Sequence, residues 1–143
     1  MRVTSLGAGS VPERSGSIDT RAAAKAMGAG RIALGLSYVL APGLALRAWP
    51  GTRPSTADDG RQLRHLARST GGRDIALGAG VLLALSHDAP VRGWLEAASL
   101  ADAVDALAII LAFPHLPRRK AVLMLGAALG AAAAGRRLAT SLG

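Results

Sequence analysis

The sequence predicts an all-α integral membrane protein in which four helices form an up-and-down bundle. Half of the 143 residues are hydrophobic but only 3% are aromatic, and Ala, Leu and Gly are abundant, which is typical of close-packed helices rather than sheets. The chain also carries four long apolar segments joined by short connections. Segments 109–113 and 121–134 lack the polar stripe that a soluble helix needs. We therefore expect one membrane domain, 21–143.

Charge and cysteine content exclude several classes of protein. Cysteine is absent, which rules out a disulfide scaffold, thiolate metal sites and a thiol nucleophile. The formal net charge is +8, but the basic residues form short clusters between apolar segments. No zinc-finger, homeodomain or RNP pattern accompanies them, so we expect no nucleic-acid partner. The positive charge instead fits the headgroup edges of a membrane protein.

The N-terminal part of the chain predicts a tail followed by a broken span. Residues 1–20 are polar and rich in Ser and Gly, and they predict a disordered tail. The first span is expected at 27–49, with Arg31 near one end and Trp49 at the other. Pro42 and the glycine that follows it should kink or break this helix.

The connection 50–70 predicts a short basic amphipathic helix. Thr56 and Asp59 have the spacing of a capping box, which marks a helix N-terminus. The helix would lie on anionic lipid headgroups, although a docking surface for a protein or a plain solvated loop are alternatives. Its headgroup contacts would be Arg61, Arg64 and Arg68.

Three further spans are expected at 71–89, 91–113 and 121–138. The second and fourth are short, so a soluble Ala-rich bundle with well-buried helices is the alternative. The fourth span also contains small residues at the spacing that allows close helix packing in lipid. These are Gly126, Gly130 and Ala134. Basic residues are slightly more numerous on the side of loop 50–70, which favours a cytoplasmic loop with both termini outside.

Charged residues within the predicted spans are the main functional indication. Asp102 and Asp105 lie near the middle of the third span and on neighbouring helix positions. An ionised group there costs at least about 2.5–3.5 kcal/mol, so each needs a partner inside the bundle. Antiparallel packing would let Arg31 reach Asp102 and Arg73 reach Asp105. Asp74 would join this intramembrane cluster or cap its own helix.

Three interpretations of this cluster remain open at the level of sequence. In the first, the cluster is a set of compensating charges that fixes the order of the helices. In the second it is a proton or cation pathway, and in the third it is an active site for a lipid or quinone headgroup. No residue is nominated as a nucleophile or catalytic group. The histidines lie on separate segments, so we expect no metal, and glycine patterns without a preceding strand predict no cofactor.

Several motifs resemble an actinobacterial family of small four-helix membrane proteins that is itself similar to the DoxX-like group. The resemblance covers about 28–113. It is carried by the spacings Arg31-x3-Gly35, Ala41-Pro42, Trp49-x-Gly51, GGRDIALG at 71–78, Trp94 and Ala101-Asp102-x2-Asp105. The resemblance implies the same architecture and highlights Arg73, Asp74, Asp102 and Asp105, but it implies no activity. The resemblance to the DoxX-like group also suggests a redox-associated role, but this chain has no cysteine with which to perform thiol chemistry.

These observations together predict a small accessory or scaffold subunit of a larger membrane assembly. The expected partners are the lipid bilayer with its anionic headgroups, and other membrane proteins or further copies of the chain. A small transporter or proton-coupled protein that uses the Arg/Asp cluster is the first alternative. A membrane enzyme is the second.

Overall fold

Five α-helices and one short 3-10 turn make up the described part of the chain. The structure is a computed structural model, and it describes residues 14–48 and 55–143. The helices are α1 (Arg14–Leu40), α2 (Pro42–Ala48), α3 (Ala57–Ser86), α4 (Arg92–Ala112) and α5 (Arg118–Ser141), with the 3-10 turn at Phe113–His115. The prediction of an all-α protein is confirmed.

Helix α1 begins earlier than the sequence analysis predicts. It starts at Arg14, whereas the sequence predicts a tail over 1–20, and residues 1–13 lie outside the described part. No proline occurs between Arg14 and Ala41, and extending an existing helix by one turn costs far less than starting a new one.

The predicted break at Pro42 is confirmed. Helix α1 ends at Leu40, and α2 begins at Pro42, where a proline is well accommodated because the first helical residue needs no N–H partner. The single first span expected at 27–49 is therefore two helices. Trp49, its expected end, lies outside the described residues.

Helix α3 combines two elements that were predicted separately. Its N-terminus has the predicted capping box: the Asp59 N–H donates to Thr56 Oγ1 at 3.1 Å, and the Thr56 N–H donates to Asp59 Oδ2 at 3.0 Å. The helix then continues for 30 residues through Gly71 and Gly72 to Ser86. The prediction of a separate amphipathic helix is therefore wrong. Glycine has low helix propensity, but Gly71 packs against α1, and this contact stabilises α3 at that point.

Helices α1 and α3 form a closely packed antiparallel pair. A Cβ atom built on Gly35 would lie 2.5 Å from the Gly71 carbonyl oxygen, and one on Gly71 would lie 2.6 Å from the Gly35 carbonyl oxygen. Gly28 and Gly78 face each other in the same way one heptad along. Only glycine allows two backbones to approach this closely, so the four residues define how the two helices cross.

Helices α4 and α5 form a second antiparallel pair beside the first. The Ser99 hydroxyl on α4 donates to the Ala132 carbonyl oxygen on α5 at 2.6 Å. Gly135 on α5 lies against Ser99 and against Met27 of α1. Trp94 of α4 lies on Gly80 of α3. These contacts join the two pairs.

Two helical segments are long and apolar enough to cross a membrane. They are Arg92–His115 and Arg118–Ser141, and only 22% and 11% of their apolar windows are buried within the chain. The core helix of a soluble protein that meets the same criterion is mostly buried. Helices α1 and α3 do not meet the same criterion, so the spans expected at 27–49 and 71–89 are not supported.

Candidate functional site

Five charged residues meet between the two helix pairs. We call them the Arg–Asp cluster, and they are Arg31, Arg73, Asp74, Asp102 and Asp105. They come from the middle of α1, α3 and α4, which antiparallel packing brings to the same depth.

Arg31 connects three helices through a single guanidinium group. Its Nη1 donates to Asp74 Oδ1 on α3 at 3.0 Å, and its Nη2 donates to Asp102 Oδ2 on α4. The same Nη2 also donates to the Ala98 carbonyl oxygen at 3.1 Å. Arg31, Asp74 and Asp102 are each at most 9% exposed, so this part of the cluster lies in the interior of the protein.

Arg73 and Asp105 form the outer part of the cluster. Arg73 donates from Nη1 to Asp105 Oδ1 at 3.1 Å and from Nη2 to Asp105 Oδ2 at 2.8 Å, which is the bidentate geometry that arginine and carboxylate favour. Its Nη2 also reaches Asp74 Oδ1 at 3.3 Å. Asp74 therefore accepts from both arginines, and the five residues form one connected network.

The contacts that the sequence analysis predicts for Arg31 with Asp102 and Arg73 with Asp105 are both present. Asp74 joins the network rather than capping a helix, because it lies in the interior of α3. The network leaves two buried donors unsatisfied among the described residues, the Nε atoms of Arg31 and Arg73. Such donors are costly, so the ion pairs are retained against an energetic penalty.

A cavity of about 380 Å³ borders the cluster and is partly open to the surroundings. All three aspartates line it, but Arg31 is the only arginine of the cluster that does. Tyr38 and Thr70 add two hydroxyl groups. The remaining wall is mainly apolar and comes from α1, α4 and α5, with the side chains of Met27, Leu34, Ile109, Met124, Ala127, Ala128 and Ala131.

The chemistry of the cavity is electrostatic. Within the described ranges, no group of three or more metal-binding side chains is arranged to hold a metal ion. The described residues lining the cavity include no histidine, cysteine or lysine. The arrangement can attract a charge and surround an apolar body, which is what binding or structural roles require.

The small residues predicted for helix packing face away from the rest of the chain. Gly126, Gly130 and Ala134, here called the α5 stripe, are exposed, and Cβ atoms built on the two glycines would meet nothing within 4 Å. The close glycine contacts occur instead between α1 and α3. Sequence reasoning missed these contacts, although the seven-residue spacing of Gly28 and Gly35, repeated at Gly71 and Gly78, carries the signal.

The predicted headgroup contacts lie on the first half of α3. Arg61, Arg64 and Arg68 are exposed, and Arg61 pairs with Asp58 one turn earlier. Arg68 donates from Nε to the Val39 carbonyl oxygen near the end of α1 at 3.4 Å. The basic residues are therefore at the end of the molecule where α1 finishes and α3 begins.

Comparison of the chain with protein-family models, curated proteins and solved structures finds no match in any of the three.

Proposed function

We propose that the chain is a multi-pass membrane protein of the cell membrane that serves as a small accessory or scaffold subunit of a larger assembly. The apolar outer surface of α4 and α5 is the observation that carries this proposal. Large apolar side chains point away from the chain along both helices, and Leu111 and Leu123 are more than 70% exposed. A surface of this kind needs lipid or other helices as its surroundings.

The α5 stripe supports helix–helix contact with another chain. Small residues at four-residue spacing allow a neighbouring helix to approach closely, and in lipid this close packing drives association. Because nothing in the same chain occupies the space beside Gly126 and Gly130, a partner helix has room there. The neighbour is another membrane protein or a second copy of this chain.

In this proposal, the Arg–Asp cluster fixes which helices of the chain pack together. Each arginine reaches carboxylates on more than one residue, and Arg31 reaches two other helices. Buried ion pairs of this kind specify which helices pack together without adding much stability. A scaffold needs a defined helix arrangement more than it needs chemistry.

The basic residues at the start of α3 support an orientation. In our proposal, α1 and α3 cross the bilayer together with α4 and α5, and both termini are outside. The exposed Arg61, Arg64 and Arg68 then meet anionic headgroups on the cytoplasmic side, each contributing about 1 kcal/mol near the surface. Membership of the family similar to the DoxX-like group is part of the same proposal.

Purification of the tagged full chain in a mild detergent tests the accessory role. We expect a stoichiometric membrane partner that is lost in the double variant Gly126→Leu with Gly130→Leu, whereas a homo-oligomer of this chain alone would contradict the accessory role. Gly72→Leu on α3 is the matched control, because a Cβ there also meets nothing within 4 Å. Recovery of the wild-type chain as a monomer would contradict the proposal, and so would full retention of the partner by the double variant.

A small transporter or proton-coupled protein is the second candidate. It is favoured by the cavity, since all three aspartates of the cluster line its wall. A transporter moves its substrate when the purified chain is reconstituted alone in vesicles, whereas an accessory subunit has no such activity. A membrane enzyme acting on a lipid or quinone headgroup is the other alternative, and the described lining residues supply carboxylates for it.

A further inference from the structure

The cavity beside the Arg–Asp cluster has an unbalanced charge. Arg31 and Arg73 contribute two guanidinium groups, and Asp74, Asp102 and Asp105 contribute three carboxylates within the same ion-paired network. The network therefore has a formal charge of −1 when all of its members are ionised. An uncompensated negative charge in an interior of low dielectric constant attracts a cation strongly.

The charge is also distributed unevenly around the network. The cavity wall includes all three aspartates but only one of the two arginines, because Arg73, which pairs with Asp105, does not line the cavity. The wall is therefore more acidic than the network as a whole. An anionic ligand would face carboxylates on two helices, α3 and α4, and is disfavoured by the same geometry.

The rest of the wall determines the kind of cation. Apolar side chains from α1, α4 and α5 cover most of the surface, and Tyr38 adds an aromatic ring. A hydrated metal ion would leave this apolar surface unused. The volume of about 380 Å³ falls in the range of about 300–1,000 Å³ that is usual for sites of small organic molecules.

From these observations we infer that the cavity is a binding site for an organic monocation with an apolar body, such as a quaternary or protonated amine. The positive group lies against Asp102, and the apolar body lies against Ala127, Ala128 and Ala131 of α5. The bound cation brings the charge of the site to zero. This inference goes beyond the accessory role, which depends on the outer surface of the molecule.

Binding of a quaternary ammonium probe to the purified full chain tests the inference. The probe is radiolabelled benzyltriethylammonium, and its control is the uncharged compound in which carbon replaces the nitrogen. We expect saturable binding of the cation, at least about tenfold tighter than binding of the uncharged compound. Equal binding of the two compounds, or no saturable binding of the cation, would overturn the inference.

Two variants separate the charge from the fold. Asp105→Asn makes the network neutral, so we expect binding of the cation to weaken at least about tenfold. Adding Arg73→Gln to Asp105→Asn removes the whole pair and returns the formal charge to −1, so we expect binding to recover. The inference that the net charge of the network drives binding is wrong if the single variant binds the cation like the wild type. It is also wrong if the double variant binds the cation as weakly as the single variant.

A third variant tests the cavity without changing any charge. Ala128→Phe places a ring in the space expected for the apolar body, whereas Ala133→Phe places the same ring on an exposed position of α5 outside the cavity. We expect Ala128→Phe to abolish binding and Ala133→Phe to retain it. This comparison remains decisive if Asp105→Asn does not fold, and equal binding by both variants would overturn the assignment of the site.

Discussion

Arg31 on α1 is bonded to residues of two other helices. It is 8% exposed and donates hydrogen bonds to Asp74 on α3 and Asp102 on α4. Substituting it removes the only guanidinium group that reaches Asp102 among the described ion pairs. Two buried carboxylates would then lose a cationic partner at the same time.

We therefore expect Arg31→Gln to lower the free energy of unfolding by about 3–5 kcal/mol, because breaking a buried pair from one side leaves an uncompensated charge. Unfolding in mixed detergent micelles, followed by far-UV circular dichroism, measures this change. The control is Arg92→Gln, which removes an exposed pair with Glu96 and should cost less than about 1 kcal/mol. Equal losses in the two variants would contradict the structural role of Arg31.

At the scale of the elements, the crossing of α1 and α3 depends on residues that have no side chain. Gly35 and Gly71 bring the two backbones into direct contact, and Gly28 and Gly78 repeat the contact. The same contact explains why α3 passes through Gly71 and Gly72 without a break. A helix that is locally weak there is stabilised by its neighbour.

We expect Gly35→Ala to destabilise the protein by about 1–3 kcal/mol, because the added methyl group would lie 2.5 Å from the Gly71 carbonyl oxygen and the helices must separate. Gly72→Ala is the matched control on the other helix. Its added methyl group meets nothing within 4 Å, and the higher helix propensity of alanine should stabilise the protein by up to about 1 kcal/mol. The thermal unfolding midpoints of the two variants should move in opposite directions, and a shift in the same direction would refute the interpretation.

At the scale of the whole molecule, the proposed membrane topology places the two ends of α4 on opposite sides of the bilayer. Helix α4 belongs to the segment Arg92–His115, one of the two that are long and apolar enough to span. His87 precedes it and His115 follows it, and both histidines are exposed. The natural chain has no cysteine, so a single introduced cysteine reports on one position only.

We expect His87→Cys and His115→Cys to react with a membrane-impermeant maleimide from opposite sides. Intact cells should label the first variant only, and inverted vesicles should label the second only, because the end of the molecule that carries the basic residues is proposed to be cytoplasmic. Labelling of both variants from the same side would show that α4 does not cross the membrane. Labelling in the reverse order would overturn the orientation alone.

The sequence was sufficient for the features that depend on local chemistry. The capping box at Thr56 and Asp59, the break at Pro42 and the helical character of the chain follow from a few adjacent residues, whose preferences act in any context. The approach of Arg31 to Asp102 was also predictable, because a charge in an apolar segment requires a partner and antiparallel helices bring opposite charges to one depth.

Only the tertiary structure determined which helix surfaces are in contact and which face outward. Within the chain the close helix contacts belong to Gly28, Gly35, Gly71 and Gly78, and the α5 stripe faces outward. The continuity of α3 and the cavity beside the Arg–Asp cluster were likewise outside what the sequence determined. Each of these depends on residues far apart in the chain meeting at short distances, and hydrophobic and small residues do not encode by themselves which neighbour they will meet.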